Sequence, residues 1–152
     1  MEHKQESTTN WTFFRMSLVA VAFIAGVLGA QAALVSERIP WITLLGMFAL
    51  AIPAMLLVVG LQRINPWSAG TWQFPDWSLN PFQLREPLQF FHFTGYLLLA
   101  AGLGGIAGGL FGNHAITANN QVLVAGGAGQ LCGIYACTIV FRNKMATRRP
   151  RG

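Results

Sequence analysis

The chain has 152 residues, 53% hydrophobic and 10% charged, with a net charge of +5, a pI near 10.0 and a mean hydropathy of +0.47. An ordinary soluble domain carries about 25% charged residues, so the composition excludes that class. The basic residues lie beside apolar runs, where they set topology and meet anionic headgroups rather than nucleic acid. One integral membrane domain, residues 1–152, is expected.

Residues 1–10 form a polar tail. Trp11, Phe13 and Phe14 precede Arg15, an aromatic-plus-basic pattern that predicts an anchor at a membrane surface. The first apolar run is 16–35. A rival reading is a signal peptide, with Lys4 and Arg15 as its basic region, 16–29 as its apolar region and Ala30-Gln31-Ala32 as a small-x-small cleavage site. The run continues past that site to Val35, long enough to span, so a retained helix is expected. Ala22, Ala25, Gly26, Gly29 and Ala33 share one side of it at about 100° per residue.

The second run, 39–62, has Pro40 in its first turn and Pro53 in its interior. An internal proline removes a backbone hydrogen bond and kinks the helix, so Pro53 is either a hinge or a static bend. Residues 63–89 form the one long connection, with Trp67, Trp72 and Trp77 among four prolines. Proline at that density opposes a continuous helix, and tryptophan at that density points to headgroup depth. An interfacial loop is therefore expected, because non-helical backbone cannot face lipid in the hydrocarbon core.

The third run, 90–112, contains no Asp, Glu, Lys or Arg, and its seven glycines fall within one half of the helical wheel. Gly102, Gly105, Gly109 and Gly112 are read as a packing face, since small residues let helices approach closely. In the fourth run, 121–141, Gly126, Gly129 and Gly133 share a face with Gln130 and Cys137. The segment 142–152 is a basic tail. The fold expected is an all-α, polytopic transmembrane bundle of four helices.

Two polar residues stand out. Gln130, mid-helix, needs a partner in lipid, either an interhelical hydrogen bond or a substrate. His92 is the one ionisable residue inside an apolar run, and such groups are functional candidates. Its place in the first turn of 90–112 predicts an interfacial anchor. A haem would ask for a second axial ligand, and neither His3 nor His114 is suitably placed, so no cofactor and no metal are expected.

With four crossings, Lys4, Arg15, Arg63, Arg85, Arg142, Lys144, Arg148, Arg149 and Arg151 fall on one side and Arg38 alone on the other. The positive-inside rule then places both termini in the cytoplasm of a bacterial inner membrane. The function expected is that of a non-enzymatic structural or accessory subunit, packing through glycine faces into a homo-oligomer or a larger complex. The alternatives are a small oligomeric transporter or channel, and a haem- or quinone-associated subunit using His92.

Overall fold

Without water to bond, a backbone satisfies its N–H and C=O groups by becoming helical, and the four apolar runs are helical over most of their described residues. The computed structural model describes residues 10–31, 39–64, 72–82, 87–112, 116–141 and 145–146. Its elements are α1 (Trp11–Gln31), α2 (Trp41–Ile64), β1 (Trp72–Gln73), α3 (Pro87–Phe111), α4 (Ala118–Val140) and β2 (Met145–Ala146). Among the described residues, three helical segments are long and apolar enough to cross a membrane: Trp11–Ala30, Leu88–Phe111 and Ala118–Val140. The described apolar part of α2 is shorter, Trp41–Leu57.

The helix starts lie upstream of the apolar runs, except in α2, because polar or proline residues set them. Asn10 precedes α1 and accepts from the Phe13 N–H at 3.2 Å through Oδ1 and from the Phe14 N–H at 3.0 Å through its carbonyl. Thr117 caps α4, its hydroxyl accepting from the Asn120 N–H. Pro87 occupies the first position of α3, where a missing N–H is harmless. Pro40 lies just outside α2, its carbonyl accepting from Thr43 and Leu44. The α2 helix continues through Pro53, which is exposed, to Ile64.

The close helix pairs are α1 with α3, α3 with α4, and α4 with α2. The helices thus follow one another in space as α1–α3–α4–α2, with α3 gripped on two sides. The long connection leads from α2 past the end of α4 to α3, and there β1 pairs in parallel with β2, Trp72 opposite Met145 and Gln73 opposite Ala146. A buried apolar cluster of Met55, Leu88, Ile134 and Cys137, with Phe74 packed against it, joins α2, α3, α4 and the connection. Cys132 is exposed and Cys137 buried, and both are free thiols.

Candidate functional site

Backbone-to-backbone approach at glycines sets the helix spacing. A Cβ at Gly104 would overlap the Phe23 carbonyl of α1, and one at Gly108 would lie 2.6 Å from the Val27 carbonyl. On the other side of α3, Gly102 lies against the Val124 N–H and Gly105 against the Asn120 side chain, both from α4. Gly129 and Gly133 of α4 receive Phe48, Ala51 and Met55 of α2. The glycines of α3 therefore divide between two neighbours. Gly109 is buried and Gly112 half-buried. Gly126 departs from the reading that placed it on the packing face: a Cβ there would meet nothing within 4 Å, because the α2 contact runs along Gly129 and Gly133.

The connection folds over the end of α1 and α3. Asp76 and Asn80 each accept, through Oδ1, the N–H two residues on (Ser78 and Phe82, both 2.9 Å), a local turn habit of these side chains. Gln89, fully buried, clamps this segment: its Oε1 accepts from the Asp76 N–H at 3.0 Å and its Nε2 donates to the Phe74 carbonyl at 2.8 Å. Pro81 is fully buried, and the Phe82 ring lies between Phe14 of α1 and Phe93 of α3, with centroids 6.2 and 6.1 Å away.

Arg15 is not the surface anchor that the sequence predicts. Because α1 begins at Trp11, Arg15 is a helical residue, and the folded connection buries it completely. Its Nη2 donates to the Leu79 carbonyl, and its guanidinium carbon lies 5.8 Å from the Phe93 ring centroid, within cation–π range. Nε and Nη1 have no hydrogen-bond partner among the described residues. Asp76 lies within electrostatic reach of both Arg15 and His92.

His92 is likewise deeper than predicted. The start of α3 at Pro87 puts it in the second turn, and it is only 3% exposed. Trp77 and Tyr96 close over it, with ring centroids 5.7 and 5.0 Å from the imidazole and 4.8 Å from each other. Its Nδ1 has no hydrogen-bond partner among the described residues. Tyr135 of α4 adds a fourth ring 6.4 Å from His92, its hydroxyl 3.5 Å from that of Tyr96. Between α1 and α3, beside Trp77 and Tyr96, runs an open groove of about 880 Å³ with apolar walls.

Gln130 reaches across the α3–α4 contact, its Nε2 donating to the Phe91 carbonyl at 2.7 Å and to Thr94 Oγ1 at 2.8 Å. Trp67 lies outside the described residues, as do His3 and His114; Trp72 is placed by its backbone in β1. Sequence reasoning did not single out Gln89, Asp76, Tyr96 or Asn120 for this region. The Asn120 amide, buried against Gly105, has an Nδ2 without a partner among the described residues. Among those residues no group of three His, Cys, Asp or Glu side chains could hold a metal ion. No family model, curated protein or solved structure matches the chain.

Proposed function

We propose that this protein is a non-enzymatic structural or accessory subunit of a membrane assembly. The observation that carries this reading is the use made of the polar side chains within and between the helices. Gln89, Gln121 and Gln130 each bond a backbone group of another element of the same chain: Phe74 and Asp76, Ile39, and Phe91. Side chains so engaged hold the fold together, which is the work of a structural subunit.

The glycine seams are filled from within, so partners meet the outer faces. Those faces carry Phe13, Ile24 and Leu28 on α1 and Trp41, Leu45 and Leu50 on α2, each more than half exposed. Exposed apolar surface of this kind marks contact with lipid or another subunit. In this reading all four helices cross a bacterial inner membrane. The tryptophan-rich connection lies at its cytoplasmic interface with both termini, as the bias of positive charge favours.

The test is purification of the full chain in mild detergent followed by native mass measurement. A particle holding further copies or other subunits is expected. A monomer accompanied only by lipid, recovered also after cross-linking in the membrane, would reject the assembly role.

A further inference from the structure

We propose that the segment 74–82 is a strap standing in the place of an anionic phospholipid headgroup, and that the headgroup, by binding Arg15 and His92, holds the strap open. The inference rests on the interfacial position of the connection given above; assembly with other subunits has no part in it.

Arg15 of α1 and His92 of α3 are both buried and both short of hydrogen bonds, and this one segment covers them both. Leu79 supplies the carbonyl that accepts from Arg15, and the Trp77 ring centroid stands 5.7 Å from that of the imidazole. Asp76, Ser78 and Phe82 are exposed, so one thickness of chain separates the two buried groups from the outside.

What the strap gives Arg15 is incomplete. A guanidinium can donate from every nitrogen. Here Nη2 meets the Leu79 carbonyl, while Nε and Nη1 have no partner among the described residues. A buried charge short of partners is costly. The same segment brings the charge of Asp76 within electrostatic reach of Arg15 and His92. A carbonyl dipole and a nearby carboxylate together are a partial substitute for an oxyanion. A phosphodiester carries the full charge and several acceptor oxygens, and takes up the unused guanidinium donors. Opening withdraws Asp76 together with Leu79, so the carboxylate that would repel a phosphate leaves with the strap. His92 Nδ1, uncovered by the same movement, gives a second contact.

The latch is small. Gln89 holds the segment by two hydrogen bonds, and Phe82 and the buried Pro81 hold it by packing. A ligand that binds only the open form shifts the strap outward, and by reciprocity any change that opens the strap tightens the ligand.

The experiment uses the full chain in lipid nanodiscs, which leave both membrane faces open to protease. Limited chymotrypsin digestion at Trp77 and Phe82 is compared in phosphatidylcholine with and without phosphatidylglycerol. Phosphatidylglycerol should speed cleavage about fivefold or more. Arg15→Gln should be cleaved at equal rates in the two lipids, whatever its absolute rate, so attraction of the protease to an anionic surface is controlled. A third arm adds inorganic phosphate to the phosphatidylcholine discs and should change nothing. Gln89→Leu leaves Arg15 intact, and it should bind phosphatidylglycerol about tenfold more tightly, by native mass measurement of retained lipid, as its open population grows. That measurement decides the matter if Arg15→Gln fails to fold. Equal rates for the parent in both lipids, a lipid effect surviving Arg15→Gln, unchanged lipid binding in Gln89→Leu, or inorganic phosphate acting as well as the lipid would each overturn the proposal.

Discussion

Gln130 Nε2 and Thr94 Oγ1 lie 2.8 Å apart across the contact between α4 and α3. Thr94 Oγ1 also lies within hydrogen-bonding distance of two carbonyls of its own helix, Phe90 at 3.1 Å and Phe91 at 3.3 Å. The Phe91 carbonyl accepts from Gln130 as well. A carbonyl near a helix start and a hydroxyl one turn on thus form a receptacle for one amide.

Replacing Gln130 with Leu should destabilise the folded state by about 0.6–2 kcal/mol, the range for a hydrogen bond between helices in a membrane. Thr94→Val removes part of the same contact, so the double variant should be less destabilised than the sum of the single ones. Thermal denaturation of all four proteins in one detergent measures this. Strict additivity would mean that the two side chains act separately.

Gly104 and Gly126 separate close contact from composition. Alanine at Gly104 drives a methyl group into the Phe23 backbone and should cost about 1–3 kcal/mol. Alanine at Gly126 meets open space and should leave stability level or raise it by up to about 1 kcal/mol, through helix propensity. Similar denaturation midpoints for the two variants would contradict the α1–α3 packing.

Gln89→Leu should release the connection while leaving the helices in place. Two hydrogen bonds to the segment 74–76 are lost, and at about 1 kcal/mol each the open population should rise tenfold or more. Limited chymotrypsin digestion reads this as faster cleavage at Trp77 or Phe82. An unchanged cleavage rate would show that Gln89 does not hold the connection down.

Topology can be checked with a reporter active only in the cytoplasm. Fused after Gly152 or inserted near Ser78 it should be active, because β1 and β2 tie the connection and the C-terminal segment to one end of the molecule. Inserted at Asn119, at the start of α4, it should be silent. Activity at both Ser78 and Asn119 would be incompatible with α3 crossing the membrane.

The helices were legible as apolar runs, since lipid tolerates long stretches of apolar side chains and obliges their backbone to bond to itself. Their starts were less so, because hydropathy is blind to capping: Asn10, Thr117 and Pro87 lie beyond the apolar residues and still set where α1, α4 and α3 begin. Moving those starts changed the meaning of Arg15 and His92, from residues at the rim to residues within. Glycine spacing pointed to close contact, but it carried no sign of which neighbour each glycine meets. The division of α3 between α1 (Gly104, Gly108) and α4 (Gly102, Gly105) depends on helix order, which no local pattern encodes. Gln89 and Asp76 were hidden for a similar reason: their partners are fixed only once the connection folds back.

The spatial order α1–α3–α4–α2 has a consequence for biogenesis. Consecutive segments usually become neighbours, yet among the described residues α1 and α2 make no close pair. Under the proposed four-span topology, the first two helices would enter the bilayer with no interface to each other and wait as separate spans. The α3–α4 hairpin, made last, carries glycine faces on both flanks and would slot between them, joining α1 through Gly104 and Gly108 and α2 through Gly129 and Gly133. Assembly would then be a late event, governed by the second half of the chain. On the same topology, a chain truncated before α3 would leave two unpaired helices in the membrane.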